Sequence, residues 1–480
     1  MLALILAAAA TQCAPSAFLT VQSGTLAAVS WSEPSGDEVR LHAVINQSLV
    51  LDATAQLRPD GTAVRLIGSS GTFGETPARR ERPVKVPVIP WQHMIPHSLE
   101  FAVRRAIALG GGATTYIHGA SPFSDSIANL TVHRTGPTDW VVVERGKRYE
   151  VASDANGCVL SASMPAYGVV FERRARFSRE IYPAWPLYGT PPDNPYRALQ
   201  VRIPSLAGHV LAGTLTLPRK RKALFPAVVM ITGLGEHERN GGSAPWIPFR
   251  DLSDALTRAG IAVLRVDDRG VGASTGDRKS STTSDEADDV TTEVRWLRAQ
   301  PGIDPSRIAL VGHSEGGTIA PMVASRDRSI AAIVCLSGSG VSSRDLARYQ
   351  TENLVARDPA VPPEKRSAQV EKLLAEELTP RERSFMAIDP ISYAVQVRCP
   401  AFIGQGGADI YVPPRSAAKL AAAMRAGGVG DVTVRLVPHL GHTLLPDPDG
   451  IVQSVFLPAF HVAPEILDPV VRFLTERLRP

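Results

Sequence analysis

The distribution of apolar positions divides the chain into two parts with different patterns. From about Val39 to Arg173, short runs of alternating apolar and polar residues are separated by turn signals such as Pro59-Asp60-Gly61. Runs of this kind predict antiparallel strands, and a single helical segment is predicted over residues 99–109. The first part of the chain is therefore expected to be a β-rich domain.

After about residue 196 the apolar runs become continuous and alternate with helical segments. Strands that are apolar on both faces and separated by helices predict a mostly parallel sheet covered by helices on both sides. A polar, helix-prone stretch at 342–397 interrupts this rhythm and predicts a small helical cap inserted above the carboxyl edge of the sheet. The apolar runs lie at 227–232, 261–266, 307–311, 330–336, 401–404 and 432–437.

The first ten residues are almost purely apolar, which is the length of the hydrophobic region of a signal peptide and too short to span a bilayer. No Lys or Arg precedes them, so a signal peptide here is expected to be truncated. Export to the periplasm or the medium follows; a buried N-terminal segment and a cytoplasmic location are the alternative. The predicted organisation is a signal peptide at 1–22, a β-rich domain at 23–173, a linker rich in proline and aromatic residues at 174–196, and an α/β domain at 197–480.

Composition excludes several classes of protein. Hydrophobic residues make up 44% and charged residues 20%, as in globular proteins, and the net charge of +4 is too small and dispersed to predict nucleic-acid binding. After the first dozen positions no run of about 18 apolar residues occurs, so no stable membrane span is expected. The four cysteines form no CxxC pair and HExxH is absent, so no metal site is predicted and no disulfide framework is implied.

The segment from Ile308 to Gly317 carries the strongest chemical signal. It contains Gly312-x-Ser314-x-Gly316 between a predicted strand and a predicted helix. A tight turn there needs glycines on both sides of the serine, and it lifts the hydroxyl of Ser314 out of the sheet edge as an exposed nucleophile. A serine that only caps the helix is the weaker alternative.

Folds that carry this elbow place the acid and then the histidine after later strands. Asp409 follows the run 401–404, and His442 follows the run 432–437, so these two residues are predicted to complete a catalytic triad with Ser314. His439 is an alternative histidine, expected to be structural, and His313 is expected to pack against the sheet. Two weaker candidates for the acid are Asp431 and Asp447.

The negative charge that develops on a reacting carbonyl oxygen needs two N–H donors. We predict the backbone N–H of Glu315, directly after the nucleophile, and that of Leu234, in the loop after the first long parallel strand. The glycine-rich segment at 267–276 has the spacing GxGxxxG and opens no helix directly, so it predicts a structured turn with an Asp–Arg pair and no dinucleotide. No cofactor is expected.

From about Tyr196 onward the sequence resembles bacterial serine α/β-hydrolases of the esterase family that carry an extra N-terminal β-rich domain. The residues that carry the resemblance are Asp268-Arg269-Gly270-Val271-Gly272-Ala273-Ser274-Thr275-Gly276-Asp277, Gly312-His313-Ser314-Glu315-Gly316-Gly317, Asp409-Ile410-Tyr411-Val412-Pro413 and Gly441-His442. The resemblance implies hydrolysis of carboxylic esters of short to medium acyl chains, and it implies the same triad. The chain departs from the family at Gly233-Leu234-Gly235, where similar proteins often have Gly-Ser-Gly.

A small-molecule ester is thus the expected substrate, cleaved through an acyl-enzyme on Ser314. A thioesterase or a serine peptidase would use the same triad, so both stay open as alternatives. A binding protein that keeps the hydrolase fold only as a scaffold is a third alternative. Within the cap, the apolar residues Leu346, Leu354 and Phe385 are expected either to line an acyl pocket or to pack against one another.

Overall fold

The computed structural model describes residues 13–479 apart from 14–15, 23–24, 46–48, 73–77, 85, 93–94, 123–126, 175–187, 192–195, 220–223, 243–246, 279, 358–360, 379 and 448–460. Its contacts divide the chain into two compact units, Met1–Pro192 and Asp193–Pro480. Most of the predicted linker at 174–196 and the first twelve residues of the predicted signal peptide lie outside the described residues. None of the helices in the described part of the chain has the length and apolar character needed to cross a membrane.

The described residues of the first unit form a 13-stranded sheet and one long helix, α1. The strands are β1 Ala17–Gln22, β2 Thr25–Ser35, β3 Glu38–Ile45, β4 Leu49–Leu57, β5 Ala63–Thr72, β6 Ala78–Pro83, β7 Ile89–Pro90, β8 Thr114–Ala120, β9 Ile127–Arg134, β10 Asp139–Glu144, β11 Lys147–Ser153, β12 Val159–Met164 and β13 Val169–Arg174. Helix α1 is Pro96–Ala108, and a short 3₁₀ helix is Pro165–Tyr167.

Two antiparallel meanders form this sheet, β1–β6 and β8–β13, and they join where β1 pairs with β13. Among the described strand pairs of this first sheet, only β7 and β8 run parallel. Alternate residues along the strands are buried, as in β11, so one face of the sheet packs on the core and the other faces solvent. The predicted β-rich domain is therefore confirmed, with one helix as expected.

Strand β1 corrects the predicted boundary of the signal peptide. The segment assigned to it reached residue 22, but Ala17–Gln22 pairs with both β2 and β13, and Phe18 is fully buried. An apolar strand in the middle of a sheet has the same composition as the end of a signal sequence, which is why the pattern placed the boundary too late. The folded unit includes Cys13, because this residue is bonded to Cys158.

The disulfide between Cys13 and Cys158 spans 145 residues, and the cysteine count did not predict it. Cys335 and Cys399 are free thiols buried in the second unit. A bond that closes so long a loop restricts the unfolded chain strongly. It fixes the beginning of the first unit beside the turn that precedes β12.

We expect Cys158→Ser to lower the free energy of unfolding of the first unit by about 2–5 kcal/mol, because the cross-link that constrains the unfolded chain is lost. Thermal unfolding followed by circular dichroism measures this change. Cys13→Ser and the double variant should show the same loss as Cys158→Ser, since each removes one and the same bond. A reductant should destabilise the wild type alone, and three variants as stable as the wild type would contradict the disulfide.

The second unit contains an eight-stranded sheet with the order β14-β15-β17-β16-β18-β19-β20-β21. Its strands are β14 Tyr196–Pro204, β15 Val210–Pro218, β16 Phe225–Ile231, β17 Ala262–Val266, β18 Ile303–His313, β19 Ala332–Leu336, β20 Ala401–Gly406 and β21 Val432–Val437. Its helices are α2 Pro248–Arg258, α3 Thr283–Arg298, α4 Gly316–Arg326, α5 Ser343–Arg357, α6 Arg366–Leu374, α7 Pro380–Met386, α8 Pro390–Ala394, α9 Arg415–Ala426 and α10 Pro464–Arg477, with a 3₁₀ helix at Pro363–Lys365.

Strands β16 to β21 of this sheet are parallel, and the antiparallel hairpin β14–β15 extends it at one edge. Successive residues of a central strand enter different cores. In β18, Leu310 packs with helices α3, α4 and α9, whereas Val311 packs with α2 and α10. The continuous apolar runs therefore reflect strands buried on both faces, and the predicted parallel sheet with helices on both sides is confirmed.

Four helices, α5 to α8, lie between β19 and β20, where a cap was predicted. Leu346 is buried with Val341 and Val412, and Phe385 packs against this cluster. These contacts pack the cap against residues just before it and in the loop after β20, which favours the packing alternative over an acyl pocket at Leu346 and Phe385. Helix α5 also carries Tyr349 toward the loop after β20.

Candidate active site

Ser314 lies at the turn between β18 and α4, with a φ of +59°. Its backbone N–H donates to the carbonyl of Leu336 at 2.8 Å. A Cβ at Gly312 would lie 1.9 Å from the carbonyl oxygen of Gly316, and a Cβ at Gly316 would lie 2.2 Å from that of Ile231. The tight turn therefore requires both glycines of the motif and holds the serine in a left-handed conformation, which is sparsely populated for residues with a side chain.

The structure brings the three residues of the predicted triad to hydrogen-bonding distance. Ser314 Oγ is 3.0 Å from His442 Nε2, and His442 Nδ1 is 2.9 Å from Asp409 Oδ2. With the imidazole proton on Nδ1, that N–H donates to Asp409 and Nε2 accepts from the serine hydroxyl. The parallel strands β18, β20 and β21 end at the same edge of the sheet, and the three side chains meet there although Ser314 and His442 are 128 residues apart.

Asp409 is 1% exposed and makes four hydrogen bonds through its carboxylate. Oδ1 accepts from the backbone N–H groups of Tyr411 and Val412, each at 2.8 Å. Oδ2 accepts from Gln405 Nε2 at 2.8 Å and from His442. These donors on both oxygens fix the orientation of the carboxylate toward the imidazole.

His313 and Ser337 hold the backbone of His442, a role that the sequence did not reveal. His313 Nε2 donates to the carbonyl of His442 at 2.8 Å, and Ser337 Oγ donates to the same oxygen at 3.1 Å. Burial, together with the nearby His442, lowers the pKa of His313 to about 3, so its ring is neutral at physiological pH. His313 is buried, as expected, and it packs against His442 with 5.0 Å between the ring centroids.

Two tyrosines also border the histidine and the acid. The ring of Tyr411 lies 5.2 Å from the ring of His442. Tyr349 of α5 donates its hydroxyl to the backbone carbonyl of Asp409 at 2.7 Å, which ties the cap to the acid loop. The Tyr349 contact depends on how the cap folds over the sheet edge, and no spacing in the sequence indicates either contact.

The weaker candidates occupy other positions. His439 lies 3.5 Å from Glu465 with half of its side chain exposed, and Asp431 pairs with Arg477. Asp447 is buried below the histidine loop, where its backbone N–H donates to the carbonyl of His439 at 2.9 Å.

The loop at residues 232–237 passes beside the nucleophile. A Cβ built on Gly233 would lie 3.1 Å from Ser314 Cβ and 3.5 Å from Ser314 Oγ, so the backbone that leads to Leu234 is adjacent to the serine. On the other side, Glu315 begins helix α4, and its buried side chain accepts a hydrogen bond from Thr283 Oγ1 at 2.7 Å. A carbonyl oxygen between these two backbone segments would meet the residues predicted to supply the N–H donors.

Comparison with known proteins finds similarity to several hydrolases. The model of the X-Pro dipeptidyl-peptidase family S15 matches residues 207–384. The chain is 23% identical over 276 residues to esterase EstD of Thermotoga maritima, covering 55% of this chain and 66% of that protein. It is 30% identical over 138 residues to the thiohydrolase apmlB of Arthrinium phaeospermum, covering 28% of this chain and 42% of that protein. The chain thus spans about two thirds of the esterase and less than half of the thiohydrolase.

Solved structures with a similar fold include two esterases. The Pyrococcus furiosus esterase Pf2001 is 19% identical, with a TM-score of 0.44 that covers 60% of this chain and 94% of that one. Est1E from Butyrivibrio proteoclasticus is 16% identical, with a TM-score of 0.41 that covers 58% of this chain and 98% of that one.

Proposed function

We propose that this chain, an α/β-hydrolase related to esterases and to S15 peptidases, is a serine hydrolase that cleaves carboxylic esters of short to medium acyl chains. The observation that carries the proposal is the unbroken line of hydrogen bonds from Ser314 through His442 to Asp409. A serine hydroxyl is a weak nucleophile at neutral pH, and an adjacent, oriented base is what activates it. The roles of the three residues follow from this geometry.

In the acylation half of the reaction, Ser314 Oγ attacks the carbonyl carbon of the ester while His442 Nε2 takes the hydroxyl proton. Asp409 keeps the imidazole in the required tautomer and stabilises the imidazolium that forms. The tetrahedral intermediate then collapses: the bond to the alcohol oxygen breaks, and His442 returns its proton to that oxygen. The product alcohol leaves, and the acyl group remains bonded to Ser314.

Deacylation repeats these steps with water as the nucleophile, and it releases the acid and restores the serine hydroxyl. Both tetrahedral intermediates carry a negative oxygen beside Ser314. The backbone N–H groups of Leu234 and Glu315 are the proposed donors to this oxygen, and one such donor contributes about 3 kcal/mol to the stability of the transition state.

The proposed limit on acyl length is supported by the packing of the cap. Leu346 and Phe385 pack with Val341, just before the cap, and Val412, in the loop after β20. Side chains that fill a packed cluster leave less apolar surface open to a long acyl chain. A short or medium chain fits this arrangement better than a long one.

Turnover of a panel of substrates tests the proposal and separates it from its alternatives. The panel contains p-nitrophenyl esters from acetate to palmitate, an acyl thioester and an X-Pro-p-nitroanilide. We expect the highest kcat/KM on the acetate, butyrate or octanoate ester, and a value lower by roughly 10²-fold or more on the anilide, since a pocket without contacts to a dipeptide binds its transition state weakly.

A higher kcat/KM on the thioester or on the anilide would replace the esterase proposal by the thioesterase or the peptidase that the weaker matches indicate. Absence of turnover on every substrate would favour a binding protein on a hydrolase scaffold.

We also propose that the chain is exported to the periplasm or the medium. The disulfide between Cys13 and Cys158 supports this location, because such bonds form and persist in oxidising compartments.

A further inference from the structure

The loop that carries the proposed donor Leu234 is anchored at both ends by a single buried carboxylate, Asp268. Thr232 Oγ1 donates to Asp268 Oδ1 at 2.5 Å, and the backbone N–H of His237 donates to Asp268 Oδ2 at 3.0 Å. The backbone N–H of Asp268 in turn donates to the carbonyl of His237 at 3.0 Å. Both ends of the loop are thus hydrogen-bonded to the side chain of one residue in the turn after β17.

Arg278 contacts the middle of the same loop. Its guanidinium donates to the backbone carbonyl of Gly235, and it lies 3.0 Å from Asp268 Oδ2. It also pairs with Glu286 in the first turn of α3. Arg278 is buried, with 7% of its side chain exposed, so these three contacts are shielded from water. In such surroundings charge-assisted hydrogen bonds are strong and directional.

The other proposed donor is tied to the same end of α3. Thr283, next to the residue that caps this helix, donates its hydroxyl to Glu315 at 2.7 Å. The N-terminus of α3 is itself fixed by a capping box between Thr282 and Asp285. Arg278 on one side and Thr283 on the other therefore connect both backbone segments beside Ser314 to one rigid element.

We propose that Arg278, acting with Asp268, is a positioning residue that sets the oxyanion loop at the distance from Ser314 that the transition state requires. This inference rests on the proposed function. The benefit of a preorganised donor depends on where the charge develops, so a small displacement of the loop weakens binding of the transition state more than binding of the substrate. Arg278 touches no reacting atom and acts through the backbone of Gly235.

Lysine cannot replace arginine here without loss. A guanidinium presents several N–H donors in a fixed plane and reaches Gly235, Asp268 and Glu286 at once, whereas an ammonium is a single point of charge on a flexible stem. Arg278→Lys keeps the charge that the two carboxylates need but gives up part of the contact set. The variant therefore tests whether Arg278 sets the position of the oxyanion loop, because the buried positive charge is retained.

The test compares Arg278→Lys with Arg307→Lys on the ester that the wild type hydrolyses best. Arg307 lies in the first half of β18, where it pairs with Asp304 at 2.7 Å and donates to the backbone carbonyl of Leu478, so it makes a matched control away from the loop. We expect Arg278→Lys to lower kcat by roughly 10- to 100-fold, with KM within about threefold of the wild-type value. Affinity for a trifluoromethyl ketone, which forms a hemiketal oxyanion on the serine, should fall by the same factor. The control should keep both values.

Thr232→Val provides a second variant in case Arg278→Lys fails to fold. It removes only the hydroxyl that donates to Asp268, and we expect kcat to fall several-fold, again with KM retained. Wild-type kcat and inhibitor affinity in either folded variant would overturn the inference, as would an equal loss of kcat in Arg307→Lys. A wild type that hydrolyses no ester would contradict the proposed function instead.

Discussion

Replacing Ser314 with alanine is expected to lower kcat on p-nitrophenyl butyrate by roughly 10⁴- to 10⁶-fold. The variant has no Oγ to attack the ester, and His442 alone can only assist a water molecule. The fold should persist, because Gly312 and Gly316 enforce the elbow and alanine differs from serine by one oxygen. Steady-state release of p-nitrophenol measures the loss, and a thermal unfolding curve shows whether the variant is folded.

A fluorophosphonate probe gives an independent readout of the same residue. It should label wild-type protein at Ser314 and leave Ser314→Ala unlabelled. Ser325→Ala is a suitable control, because Ser325 lies on the helix that follows the elbow and its hydroxyl bonds only the carbonyl of Met322 in the contacts described. We expect this control to retain turnover and labelling. An alanine variant at 314 that keeps either would show that the nucleophile is another residue.

The α/β part of the fold could be predicted because its signals are local. A strand buried on both faces must be apolar throughout, and a crossover to the next parallel strand needs a helix. The alternation of apolar runs and helical segments along the sequence therefore predicts the order of strands and helices. The same alternation predicts that Asp409 and His442 lie close together, because each follows a strand and parallel strands end at one edge of the sheet. The elbow adds its own signal, because only glycine fits at positions 312 and 316 on either side of the turn.

Other features depend on contacts between residues that are far apart in the chain. The bond between Cys13 and Cys158 requires that β1 pair with β13, and no local pattern indicates that pairing. In the same way, the hydrogen bonds of His313 and Ser337 to the His442 carbonyl arise only after the four strands β18 to β21 have been brought side by side. A short apolar strand at Ala17–Gln22 also has no composition that distinguishes it from the end of a signal sequence.

The glycine-rich turn at 267–276, which contributes to the resemblance to esterases, lies beside the site. The sequence predicted a structured turn with an Asp–Arg pair there, and the structure contains two such pairs. Asp267 binds Arg239 with a contact of 2.6 Å, and Asp268 lies 3.0 Å from Arg278. The adjacent Arg269 pairs instead with Asp289 of α3. Side-chain direction at a turn is set by the packing around it, so the sequence predicted a pair without identifying its members.

Asp409→Asn is expected to lower kcat by roughly 10⁴-fold while KM changes little. The backbone N–H groups of Tyr411 and Val412 require an acceptor, so the amide oxygen should occupy the position of Oδ1 and accept from both. The amide nitrogen should then face His442. An N–H at that position cannot accept from Nδ1–H. The imidazole would then carry its proton on Nε2, the atom that must receive the proton of Ser314.

The matched control is Asp431→Asn, which changes the same atoms at another aspartate that the sequence offered as the acid. Asp431 pairs with Arg477 at a partly exposed position, where an ion pair contributes about 0–1 kcal/mol. We expect this control to keep its kcat, whereas Asp409→Asn should lose activity but still be folded. Thermal unfolding followed by circular dichroism separates a change of tautomer, which leaves the fold intact, from a loss of structure. Full activity in Asp409→Asn, or an equal loss in Asp431→Asn, would show that another group orients the histidine.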